Sequence, residues 1–175
     1  MEREQVLEMI ETARSQGREA DLARMDLQRI DLSGVDLSQV KLAYAKLNEA
    51  NLEGAKLVGA DLTGADLHGA TLVRASLEAA NLLGVNLSDA NLLGANLLEA
   101  NLRNSNLSGA NLSRATLSES SLRGAGLTVA NLREGNLDGA NMIKADLRGA
   151  QVTDQQLNKA KSLKGAIMPD GSVHD

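Results

Sequence analysis

Leucine returns every fifth residue from Leu22 to Leu147, with Met142 the one substitute, so that 26 consecutive repeats share one pattern. Two residues before each comes a small or modest apolar side chain, usually alanine. Ser105, Ser120 and Gly135 depart from this, and Met25, Ile30, Val35, Val40 and Val85 are bulkier. The residue just before the leucine is mostly Asp or Asn, as at Asp61, Asn91, Asn96 and Asn101. A period of five is neither the roughly 3.6 of a helix nor the roughly 2 of a simple strand. Repetition without drift predicts a stacked solenoid, in which each unit buries its apolar side against its neighbours. Residues two apart in extended backbone point the same way, so the alanine and the leucine both face inward; Leu82, Leu87, Leu92 and Leu97 are representative core positions. The chain must then turn. Of the 16 glycines, 11 fall two residues after the leucine, where a type II turn needs φ > 0. Arg24, Glu49 and Arg74 at that phase point to another turn type at some corners.

Charge decides how many repeats make one coil. With four per coil, residues twenty apart stack, and Asp21–Lys41–Asp61, Asp26–Lys46–Asp66 and Asp36–Lys56 alternate in sign. With three per coil, Asp21 would lie on Asp36 and Lys41 on Lys56, and like charges facing across adjacent strands are unfavourable. Four per coil is the better register, although Arg103 then lies under Arg123.

Runs such as "GADLTGADLHGA" and "GANLLEANL" follow A(D/N)LxG, and over residues 20–150 the chain resembles the pentapeptide repeat family. The resemblance implies an all-β fold: a right-handed quadrilateral parallel β-helix, with the leucine and the small residue two before it both inside. The flanks read as short helical caps. Val6, Met9, Ile10 and Ala13 form one apolar helical face within residues 1–19, with Gly17 as its stop. In residues 151–175, Thr153 to Gln156 matches a capping box, with Leu157 and Ala160 on one face. Leu163 and Met168 then resume the beat one residue out of phase, before a turn at Pro169–Gly171.

Composition removes most chemistry. Aromatics are 1% of the chain, and Tyr44 is the only one. The core therefore has to be built from Leu and Ala. Without cysteine there is no disulfide, thiolate nucleophile or thiolate metal site. His68 and His174 have no second histidine to share a metal, and Asp21, Asp26, Asp31 and Asp36 fall on four different sides of the coil. The asparagines Asn81, Asn101, Asn86, Asn106, Asn91, Asn111 and Asn131 read as stacked amide ladders. No glycine cluster makes a phosphate loop. The reading is of a protein without catalytic residues, cofactor or metal. With no signal core and no apolar run long enough to span a bilayer, it has no membrane partner and a cytosolic location.

A net charge of −5 and one tyrosine argue against direct nucleic-acid binding. Some members of the resembled family bind DNA gyrase as DNA mimics, which makes gyrase the alternative partner. Residues 21–150 carry 15 acids and 12 bases, a net of −3, against about 18 charges on ~30 Å of duplex. The leading candidate is instead a protein contact, with another protein or a second copy. Leu83, Leu93 and Leu98 follow the beat leucines at a position usually polar, as at Ser38, Asn48, Thr63, Ser88 and Ser113. They are expected to face water. With Val73 stacked under Leu93, the group Val73, Leu93 and Leu98 is a candidate contact patch.

Overall fold

One repeat, followed atom by atom, explains the rest of the molecule. In a computed structural model describing residues 2–175, each beat residue's carbonyl accepts from the N–H three residues on, as Ala95 N–H to Leu92 O at 3.0 Å. The residue two after the leucine has positive φ in every repeat, at Arg24 (62°), Glu49 (58°) and Arg74 (55°) as at Gly94 (64°). This combination matches a type II turn. The different turns expected at Arg24, Glu49 and Arg74 are not found. A turn of another hand would carry the following small residue out of the core, so the coil imposes one conformation on glycine and non-glycine alike.

Between turns the chain is extended and makes a parallel bridge to the residue twenty positions on, from Asp21–Lys41 through to Asn131–Gln151. Four repeats therefore complete one coil, and 26 repeats make 6.5 coils. At the ~4.8 Å spacing of paired strands the stack is about 30 Å long. Each side is so short that pairing consists of isolated single bridges rather than extended strands. We number the sides in chain order, the first carrying Leu22, the second Leu27, the third Leu32 and the fourth Leu37.

The Asp or Asn before the leucine has a backbone reason. Of five N–H groups per repeat, three bond to adjacent coils; around Leu92 these are Asn91 to Ala70, Leu92 to Asn111 and Gly94 to Ser113, at 2.9, 2.7 and 2.9 Å. A fourth closes the turn. The fifth, on the residue after the leucine, has no coil partner, and in most repeats with Asp or Asn before the leucine it donates to that side-chain oxygen. Leu93 N–H reaches Asn91 Oδ1 at 3.2 Å and Leu98 N–H reaches Asn96 Oδ1 at 3.1 Å. A short side chain with an acceptor oxygen at that position completes the accounting.

Inside, every beat leucine and Met142 is at most 1% exposed, Leu82, Leu87, Leu92 and Leu97 among them. Ser105 and Ser120 sit in the alanine column, where their hydroxyls donate to Leu102 O (2.7 Å) and Leu117 O (2.6 Å). Met25 is only half-buried, packed against the core.

Both ends are tied down by side chains as well as by packing. Helix α1 (Arg3–Ser15) buries Val6 and Ile10, and Gly17 follows it at φ 65°. Arg3 donates to Asp31 O (2.6 Å) and Ser33 O (3.3 Å), and Arg14 to Asp36 O (3.0 Å) and Ser38 O (3.5 Å). In later coils the equivalent carbonyls receive N–H groups from the coil before; the first coil has none before it. Met1, counted in the 1–19 segment, lies outside the described residues. At the other end α2 (Asp154–Leu157) has the capping box, and Gln156 Nε2 donates back to Leu132 O (2.7 Å) and Gly135 O (2.8 Å). Asn141–Ser162 and Asp146–Ile167 then pair twenty-one apart, so the coil resumes one residue out of phase. Beyond the Pro169–Gly171 turn, which the sequence marks, the tail folds back. Val173 pairs antiparallel with Ile167, and Gly165 N–H donates to His174 O at 2.7 Å.

Candidate protein-contact surface

Most polar groups on the surface already have a structural task. On the first side Asn101 Nδ2 donates to Asn81 Oδ1 (2.9 Å), and Asn81 to Asp61 Oδ1 (3.2 Å). The second side has Asn106–Asn86–Asp66, and the third Asn131–Asn111–Asn91. The amide ladders read from the sequence are therefore present on three sides. The Asp–Lys columns behave differently. Their residues pair as expected, but Lys41 turns to Glu19 (3.3 Å), and Lys46 and Lys56 take part in no ion pair among the described residues. The facing aspartates instead accept backbone N–H groups, Asp21 from Ala23 and Asp36 from Ser38.

The carboxylates whose titration is displaced all favour the ionised form. Asp31 lies below the ordinary carboxylate range because the Ser33 N–H and hydroxyl hydrogen-bond it. The Ser38 hydroxyl and N–H do the same for Asp36, and the Arg148 guanidinium for Asp146. A carboxylate with a lowered pKa is a poor general acid near neutrality. His68 is exposed, with Nδ1 3.0 Å from Ser88 Oγ, and His174 Nδ1 lies 3.0 Å from Asp175 O. Among the described residues no group of three His, Cys, Asp or Glu could hold a metal ion.

The extra leucines occupy the first outward position of their turns. Val73 and Leu93 lie in one column at the corner between the third and fourth sides, with Ser33 and Ser113 in the same column. Leu98 is at the next corner, between the fourth and first sides, in the column of Ser38 and Ser118. Ser76 and Asn96 lie between the two corners. Val73, Leu93 and Leu98 are half-buried rather than fully in water, whereas Leu83, on the opposite side, is 36% exposed. Tyr44 (53% exposed) covers Gly64 and stacks under Arg24, whose guanidinium carbon is 5.0 Å from the ring centroid.

Two corners carry a feature that sequence reasoning missed. The corner between the first and second sides holds Arg24, Arg103, Arg123, Lys144 and Lys164 and no acid. At its end a groove of about 640 Å³ runs between Arg123, Ile143, Lys144, Lys164 and the returning tail at Val173. The corner between the fourth and first sides holds Glu78, Glu99, Glu119 and Asp138. Reading the turn positions at twenty-residue spacing, as was done for the Asp–Lys columns, would have separated these edges.

A cysteine-free stack of parallel bridges, closed at each end and lacking any convergent reactive group among the described residues, defines a repeat solenoid. The family model for pentapeptide repeats matches in 8 copies, including residues 18–54, 72–109 and 120–157. The chain belongs to the pentapeptide repeat family, whose members are generally structural or binding modules. Among solved structures it is 40% identical to the pentapeptide repeat protein alr5209 from Nostoc, over 58% of this chain and 79% of that one, with a TM-score of 0.51. It is 36% identical to HetL from Nostoc, involved in heterocyst differentiation regulation, over 89% and 85% of the two chains, with a TM-score of 0.38. A trypsin-treated form of QnrB1, a plasmid-mediated fluoroquinolone resistance protein, shares 22% identity over 86% and 87%, with a TM-score of 0.52. No curated protein matches the chain. Among the described residues no helix is long and apolar enough to cross a membrane.

Proposed function

We propose that the protein is a non-enzymatic, rigid scaffold that works in the cytosol by binding another protein. Residues 20–150 form a right-handed quadrilateral β-helix, and residues 1–19 and 151–175 cap it. The leading contact is the patch of Val73, Leu93 and Leu98 around the fourth side. The supporting observation is the contrast along its two corner columns. Glu53 and Ser113 flank Val73 and Leu93, and Glu78 and Ser118 flank Leu98, so the apolar side chains gather in the middle coils between polar neighbours. Single exposed apolar residues need no explanation, but a contiguous group does.

The test is affinity capture with the natural protein and its Leu93→Lys/Leu98→Lys variant. A partner held by the natural form and lost by a variant of unchanged melting temperature supports the reading; a partner held equally by both overturns the patch. Gyrase held by both would favour the second reading, a DNA mimic. That reading has the acidic corner from Glu78 to Asp138 on its side. One charge per coil, every ~4.8 Å, is sparse beside one per ~1.7 Å of duplex, so the scaffold reading stands first.

A further inference from the structure

The acidic and basic corners border the same side of the coil, and they do so level by level. Glu99, Asn101 and Arg103 run across the first side in that order, and so do Glu119, Ser121 and Arg123 one coil on. Within each level the acid and the base differ in height by a fifth of a coil, about 1 Å. Among the described residues none of these four charged side chains takes part in an ion pair. The middle column in this region, Asn81, Asn101, Ser121 and Asn141, is uncharged and half-buried, leaving a low polar strip between two charged edges.

We propose that this half of the first side is a self-association surface, joining two copies of the chain in parallel about a twofold axis along the coil. Rotation about such an axis keeps every residue at its height and exchanges the two edges. Glu99 meets Arg103 of the second copy and Glu119 meets its Arg123, each pair formed twice, as an isologous contact requires. Ser121 lies near the axis and meets its own counterpart. The antiparallel arrangement sets acid against acid and base against base, so charge selects the parallel one. The contact has limits on both sides. Toward the N-terminus the middle column becomes Asp61 and Lys41, each of which would face its own copy. Toward the C-terminus Asp138 is already held by Lys159 at 3.5 Å.

A patch of these few coils is well below the ~1,600 Å² of a standard stable interface, so the pair is transient and sensitive to salt. This surface adjoins the proposed leucine contact only at Leu98, which stands beside Glu99; Val73 and Leu93 are at the far corner of the fourth side. Charge reversal at Arg103 and Arg123, across the first side from Leu98, tests the pairing alone, and Leu93→Lys tests the leucine contact alone.

The absence of cysteine from the chain provides a clean trap. Ser121→Cys places one thiol near the axis; Gly126→Cys, on the second side of the same coil, is the control, since an added Cβ there meets nothing closer than 3.8 Å. Under mild oxidation at low salt, Ser121→Cys is expected to cross-link at least about tenfold faster than Gly126→Cys, as an elevated local concentration requires. Adding Arg103→Glu/Arg123→Glu to Ser121→Cys should abolish that advantage. Mixing this variant with one carrying Glu99→Lys/Glu119→Lys and Ser121→Cys should restore it, as a mixed dimer. Equal rates for the two cysteine positions, or charge reversal without effect in variants of unchanged melting temperature, would overturn the proposal. So would failure of the mixture to recover.

Discussion

Val129 occupies a conformation that suits it poorly: a β-branched side chain at φ 53°, 58% exposed. Left-handed backbone costs an L-residue about 1–2 kcal/mol, and glycine escapes this while giving up roughly 0.5–1 kcal/mol of unfolded-state entropy. Val129→Gly is therefore expected to stabilise the protein by up to about 1 kcal/mol, read as a higher urea midpoint at unchanged slope. An unchanged or lower midpoint would mean that the contact of Val129 with Gly149 outweighs the strain. Elsewhere the same conformation is accepted by Arg, Glu, Gln, Lys and Asp, whose flexible side chains leave along the corner. This is why glycine marked the turns in the sequence without marking all of them. The backbone sets the requirement at every repeat, and the residue only determines how much energy it costs.

Among the secondary elements, the periodic part was readable and the ends were readable only in outline. The beat shows because a uniform core admits one side chain, and the register shows because Asp and Lys alternate at twenty-residue spacing. The α2 capping box was visible as Thr153 and Gln156, because a capping box is local. What Gln156 does next was not visible. Its amide bonds Leu132 O and Gly135 O, more than twenty residues away, and no periodicity points to that contact. The same holds for Arg3 and Arg14 on the first coil, and for the tail strand at Val173. The leucine patch lies between these cases: its positions follow from the beat, but its half-burial depends on neighbours in adjoining coils. Gln156→Ala removes both coil contacts, a loss of about 2 kcal/mol at roughly 1 per hydrogen bond, besides its own half of the capping box. Because the loss is confined to the last coil, we expect amide exchange at Ser162 to Ile167 to accelerate by tenfold or more, about what 2 kcal/mol allows. Acceleration spread evenly along the chain would show instead that the ends and the middle open together.

The whole molecule is one cross-section repeated, and no contact in its middle depends on how many coils lie above or below. Excising residues 81–100 would join Ala80 to Asn101 and leave every column in step, with Asn101 set directly on Asp61. The shortened chain is expected to fold with both ends intact, and to unfold in a single transition by circular dichroism. Removing only three of those residues should abolish folding, since the beat would then place leucine outside. If the twenty-residue excision also fails to fold, the coils are not interchangeable and the middle holds information that the pattern does not display. If it folds, length becomes an adjustable property. The distance from α1 to α2 can be stepped by ~4.8 Å per coil without altering the surface at either end. Such a molecule is a graduated ruler, and the number of its coils sets how far apart it can hold whatever grips its two ends.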